Sequence, residues 1–224
     1  DSPAAVAIVY NLTGGLYLAR RKTSVAEEYF QKAIDQNPDF LQPYYSMARI
    51  YMADKQVDKA IAKYEALLNA NPKQTAPHMF LGMIYESRKQ YDQSETHYRA
   101  ALDIDSGFAP AANNLAYILV EQDKDLNEAL DFARIAREKL PNDPYVIDTM
   151  GWVYYKKGLY DSAIGEFTES LAKLPENPSV NYHLGMAYYK KGDPEQARTY
   201  LEKALDISSS FDGALEAKQV LSGL

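Results

Sequence analysis

Pro38 and Pro72 stand 34 residues apart, and Pro141 and Pro175 repeat the interval. A period of this size means one supersecondary unit stacked on copies of itself, which constrains the fold more than composition does. From these anchors the chain divides into 7–40, 41–74, 75–108, 109–143, 144–177 and 178–211, the fourth unit being one residue longer.

Aligned columns give the period physical content. The eighth position reads Gly14, Ala48, Gly82, Ala116, Gly151 and Gly185, and the twentieth reads Ala26, Ala60, Ser94, Ala129, Ala163 and Ala197. Small residues at fixed places in two successive helices let those helices cross closely. Bulky residues fill the space beside the crossing: Tyr17, Tyr51, Tyr85, Tyr154 and Tyr188 at the eleventh position, and Phe30, Tyr64, Tyr98 and Phe167 at the twenty-fourth. Proline ends the second helix, because it lacks an N–H and disfavours helix in the residue before it. In the fourth unit Ala133 replaces the large aromatic, and the extra residue falls within 122–126, which predicts a longer turn and a thinner local core. Residues 212–224 carry Ala214, Leu215, Ala217, Val220 and Leu221 among polar neighbours, the pattern of an amphipathic helix that caps the last unit. The first helix, by contrast, is apolar on most sides, with Val6, Ile8, Val9, Leu12, Leu16 and Leu18. That predicts either further repeats before it or self-association through the N-terminal end.

These columns resemble the tetratricopeptide repeat, most clearly in Leu81-Gly82 with Tyr85, in Leu184-Gly185 with Tyr188, and in Ala163 with Phe167 and Pro175. The resemblance covers 7–211 and implies an all-α solenoid, a right-handed superhelix of antiparallel helix pairs, with residues 1–224 forming a single domain. One departure is the fourth position, where the family aromatic is present as Tyr10 and Tyr44 and then gives way to His78, Ala112, Ile147 and Asn181. The only tryptophan, Trp152, stands at the ninth position instead.

Charge and residue types narrow the function. The net charge is -7, and basic residues are scattered rather than gathered in a stripe, which argues against nucleic acid or an anionic membrane as partner. No apolar run approaches the ~20 residues that direct membrane insertion requires. The chain has no cysteine, which removes disulfides, thiolate metal sites and cysteine nucleophiles together. Its three histidines, His78, His97 and His183, show no metal-ligand spacing and read as surface or packing residues. Acidic residues fall mostly on outer faces of second helices, a solvated arrangement rather than a pair of catalytic carboxylates. No enzyme, cofactor or metal is implied. Basic pairs recur at one place in the repeat, as Arg20-Arg21, Arg88-Lys89, Lys156-Lys157 and Lys190-Lys191, where positive charge meets the negative end of a helix dipole or, alternatively, forms a cationic rim beside the groove that steers an acidic partner.

The resemblance further implies that the first helices line a concave face. The residues it points into that face include Tyr45, Arg49 and Met52; Met79, Met83 and Glu86; Asn113, Tyr117 and Val120; Tyr145, Asp148, Trp152 and Tyr155; and Tyr182, Met186 and Tyr189. Aromatic and methionine side chains give large contact area with few rotors, the chemistry of a surface that binds a peptide or helix of a protein partner. Trp152, Tyr155, Tyr182, Met186 and Tyr189 are expected side by side, with Lys156 and Lys190 at the rim. Some members of the family grip a C-terminal carboxylate with lysines and asparagines. The fifth positions here, Asn11, Tyr45, Met79, Asn113, Asp148 and Tyr182, hold no lysine, so that mode is not expected. The run from Asn113 to Tyr117 and that from Asp148 to Tyr155 are similar to bacterial members, some linked to exopolysaccharide export and the envelope. This implies a periplasmic or envelope setting, with the cytoplasm as alternative, and a self-assembling scaffold as the alternative to a receptor.

Overall fold

The computed structural model describes residues 2–53 and 56–224, without the side chains of Met52 and Ala53. Thirteen α-helices run through the described residues, and no strand occurs among them. The first pairs are α1 (Pro3–Ala19) with α2 (Thr23–Gln36), α3 (Leu41–Ala53) with α4 (Val57–Ala70), and α5 (Thr75–Ser87) with α6 (Tyr91–Ile104). Then follow α7 (Ala109–Glu121), α8 (Leu126–Lys139), α9 (Pro144–Lys156), α10 (Tyr160–Lys173), α11 (Pro178–Lys191), α12 (Pro194–Ile207) and α13 (Ala214–Gly223). No helix among the described residues is long and apolar enough to cross a membrane. The helices divide into two compact units, one ending at Ala111 and the other running from Ala112 to Leu224.

Sequence determines where helices start and stop. Asp143 and Asn177 cap α9 and α11 by accepting the backbone N–H groups of Tyr145 and Val146, and of Ser179 and Val180, with proline as the first helical residue. Such a cap contributes about 1 kcal/mol. Asp125 caps α8 in the same way. The four prolines of the repeat each follow the C-cap of a second helix: Pro38 after Asn37, Pro72 after Asn71, Pro141 after Leu140 and Pro175 after Leu174. The connection from α7 to α8 is one residue longer than that from α1 to α2, from α5 to α6 or from α9 to α10.

The turn inside five of the six repeats has a second signature. Arg21, Lys89 and Asp123 take positive φ values of 58, 58 and 49°, and Gly158 and Gly192 take 75 and 87°. All five occupy the fifteenth position of their units, where the first helix must reverse into the second. Only glycine adopts that conformation without cost. The second member of each N-terminal basic pair, Arg21 or Lys89, therefore serves the turn as well as the helix dipole.

The tight crossing differs in detail from expectation. A methyl group at Gly82 would stand 2.4 Å from the Tyr98 ring, one at Gly14 2.7 Å from Phe30, one at Gly151 2.6 Å from Phe167, and one at Gly185 2.8 Å from Leu201. The bulky twenty-fourth residue thus lies on the glycine itself rather than beside it. The twentieth-position residues, Ala26 through Ala197, are fully buried in all six units. In the compact unit that ends at Ala111, α3, α4 and α5 close a ring cluster in which Phe80 stacks on Tyr44 and Tyr64 at 5.8 and 5.7 Å. Tyr64 donates its hydroxyl to the Tyr44 carbonyl at 3.1 Å, so the buried phenol is satisfied.

Candidate functional site

Capped at Asp143, α9 presents Tyr145, Asp148 and Thr149 along one face, and α11, capped at Asn177, presents Ser179, Val180 and His183 along its own. With Asn113, Asn114 and Tyr117 of α7, and Phe211 and Asp212 from the α12–α13 connection, they line an open pocket of about 550 Å³. Three successive first helices therefore converge on one concavity within the second unit.

At its floor, His183 Nδ1 lies 2.9 and 3.1 Å from the two carboxylate oxygens of Asp148. A carboxylate accepts, so Nδ1 is the ring nitrogen that donates to Asp148, and Nε2 is turned away from that pair. His183 is 7% exposed and stacks under Trp152 with ring centroids 4.3 Å apart. Trp152 in turn stacks on Tyr155 at 4.7 Å and donates its indole N–H to Glu121 at 2.7 Å. Tyr182 donates its hydroxyl to Glu216 of α13 at 2.7 Å, and burial together with that carboxylate raises the phenol's pKa.

These contacts correct the expected aromatic surface. Trp152, Tyr155, Tyr182 and Met186 are 7, 9, 4 and 1% exposed, and Met79 of the first unit is 1% exposed. They pack between helices as core, for the reason that adjacent first helices lie close enough to close over ninth- and twelfth-position rings. Tyr189 remains exposed, with Lys190 Nζ 5.7 Å from its ring centre. Lys156 rests over the Trp152 ring at 5.7 Å and pairs with Asp123 at 3.3 Å. Of the sequence-derived groove residues, Asn113, Tyr117 and Asp148 come together in the pocket. In the first unit Tyr45, Arg49 and Met83 are exposed, Tyr45 standing edge-on to Phe80 at 4.7 Å. Val120 is buried, and the side chain of Met52 lies outside the described residues.

His183 is the residue that sequence reading undervalued. Its partner Asp148 precedes it by 35 residues, one repeat plus one position, a spacing that pairs fifth and sixth positions of neighbouring units. His78 and His97 are also brought together, with their Nδ1 atoms 3.0 Å apart and Tyr85 stacked on His97 at 5.5 Å. Burial, then the neighbouring His78, lowers the His97 pKa to about 4, and burial lowers that of His78. Among the described residues no group of three or more His, Asp or Glu side chains could hold a metal ion.

Three sequence profiles described as tetratricopeptide repeat match the chain, over residues 17–84, 77–108 and 149–210. The chain belongs to the tetratricopeptide-repeat family, and its helices form the family's all-α fold. The three matched ranges leave out 109–148, which holds the longer fourth unit. No curated protein sequence matches the chain. Among solved structures, it resembles a chain of the APC/C hetero-tetramer Cut9–Hcn1 with TM-score 0.75 and 21% identity, over 96% of this chain and 42% of that one. It therefore spans less than half the length of that relative. YrrB, described as a TPR protein with an unusual peptide-binding site, aligns with TM-score 0.60 and 25% identity, over 86% of this chain and 99% of that one. PilW, a type IV pilus biogenesis factor, aligns with TM-score 0.66 and 21% identity, over 80 and 88%.

Proposed function

We propose that this protein is a non-catalytic interaction module that holds a short segment of a protein partner against its first helices, at the pocket bounded by α7, α9 and α11. The observation that carries the reading is the convergence of Asn113, Tyr117 and Asp148, three residues in groove positions of the repeat, on one open concavity of peptide-accommodating size. Tyr145, 59% exposed at its edge, offers a rigid anchor. YrrB's described peptide-binding site supports the same use of this fold. In this reading the Asp148–His183 pair acts as a fixed polar floor. Six consecutive repeats, in register apart from the extra residue of the fourth, support treating 1–224 as one domain, and no cofactor enters the reading.

The test is titration of a partner captured with the full chain against wild type, Tyr145→Ala and the second-helix control Glu138→Ala. Tyr145→Ala is expected to weaken binding by about 1–2 kcal/mol, and the control to leave it unchanged. The reverse pattern would place the contact on the second helices and reject the groove.

A second reading rests on α1, where Ile8, Val9, Leu12 and Leu16 are 49, 60, 62 and 64% exposed along one stripe. Such a stripe suits a scaffold whose copies associate through their N-terminal ends, as an envelope or export assembly would need. Light scattering over a concentration series, with Leu12→Glu as control, separates this from a monomeric receptor.

A further inference from the structure

Building on the groove reading, we infer that the pocket between α7, α9 and α11 selects an arginine side chain carried on an extended segment. The charged residues of the lining are Asp148 and Asp212, with the imidazole of His183, and neither lysine nor arginine is among them. Asp148 faces the pocket with its carboxylate engaged by His183 Nδ1 at 2.9 and 3.1 Å, which leaves further lone pairs of the carboxylate to accept. Asn113 donates its amide to Asn114 at 3.3 Å, while its Oδ1, shielded from solvent, has no hydrogen-bond partner. Two carboxylates with neither lysine nor arginine beside them make the lining an acidic one, whose hydroxyls and amides serve either as donors or as acceptors.

The guest that answers this is cationic and donor-only. Lysine and arginine both qualify, and arginine fits better because its planar fork reaches several acceptors at once. The ring of Tyr145 in the same lining, 59% exposed, offers a face on which a guanidinium stacks. An acidic segment meets the opposite conditions, since its carboxylate would face Asp148 and Asp212 without a basic residue in the lining to offset them. The positive side chains nearby belong elsewhere: Lys156 and Lys190 line a separate hollow with Trp152, Tyr155, Tyr160 and Glu216.

Length follows from helix spacing. Three neighbouring helices set two interaxial steps of about 9 Å each, so the crossing is roughly 18–20 Å. At about 3.3 Å per residue an extended chain covers it in about six residues. A segment of that length lying across the three helices can present one arginine to the acceptors.

The experiment uses the full chain, labelled for amide NMR, and titrates capped hexapeptides with one central arginine, lysine, glutamine or glutamate in an alanine background. The arginine peptide is expected to shift amides of α7, α9 and α11 and to bind about tenfold more tightly than the glutamine peptide, with the glutamate peptide weakest. Asp212→Asn, an exposed position whose change leaves the packing intact, should cut the arginine preference severalfold. Asp148→Asn should abolish most of it. Glutamine or glutamate peptides binding at the same amides as well as arginine would overturn the arginine assignment and leave the groove reading standing. Lysine binding as tightly as arginine would overturn the part assigned to the planar fork. Shifts absent from α7, α9 and α11 with every peptide would overturn both this inference and the groove reading.

Discussion

The first and eleventh helices occupy the same place in the repeat and meet opposite fates. On α11, Val180, Asn181, Tyr182, His183, Leu184, Gly185, Met186 and Ala187 are all buried, whereas on α1 only Ala7 and Gly14 are. The difference does not come from hydrophobicity, since α1 is the more apolar of the two. It comes from neighbours. Helix α11 packs against α9, α10, α12 and α13, and the α12–α13 turn comes so close that a side chain at Gly213 would stand 2.5 Å from Tyr182. Helix α1 packs against α2 and α3 and leaves Leu12 and Leu16 uncovered. In a stacked array, a residue's burial is set by the adjacent repeat as much as by its own side chain.

The largest expected effect tests this contrast directly. Trp152→Ala, which removes an indole stacked between Tyr155 and His183, should destabilise by about 3–5 kcal/mol, while Leu12→Ala on α1 should stay within about 0.5 kcal/mol. Denaturant unfolding gives both values, and similar losses at the two sites would show that α1 is covered after all. Next in size is Ala163→Leu. Its side chain is fully buried on the helix that packs under Gly151, so the added volume should cost about 1–3 kcal/mol and lower the melting temperature.

Acid tests a different part of the first unit. His97 titrates near pH 4 in the folded chain and near 6.5 unfolded, so below about pH 6.5 the unfolded state takes up a proton that the folded state refuses. Stability should therefore fall from about pH 6.5 to about pH 4, with His78 adding to the fall. Glu86 works against it, because burial raises its carboxyl pKa, and so its protonation favours the folded form. The informative quantity is the difference between wild type and His97→Gln, whose melting temperature should drop less over that window. Parallel curves would remove His97 from the account.

The smallest expected change is a gain. Lys89 pays for φ of 58° at a turn where Gly158 and Gly192 sit without strain, so Lys89→Gly should stabilise by up to about 1 kcal/mol. Gly158→Ala in the second unit should lose about as much, and chemical denaturation of the two variants checks the pair.

Much of this was legible in one dimension because it depends on contacts within a repeat. Gly82 and Tyr98, or Gly151 and Phe167, stand sixteen residues apart, as do their counterparts in every unit but the fourth, so a close crossing recurs as a column of small residues facing a column of large ones. Caps such as Asp143 and Asn177 act over two or three residues, and the prolines after the second helices act over one. The number, order and approximate ends of the helices follow from such short-range chemistry. The pocket does not. Asp148 and His183 belong to different repeats, and whether a ninth-position ring such as Trp152 faces solvent or the next helix turns on how far one repeat rotates against another. That rotation is set by packing summed over whole helix faces, which no local pattern encodes. Tertiary structure alone therefore moved Trp152 and Tyr182 into the core, drew Asn113, Tyr117, Asp148 and His183 around one cavity, and left Asn113 Oδ1 shielded and without a donor.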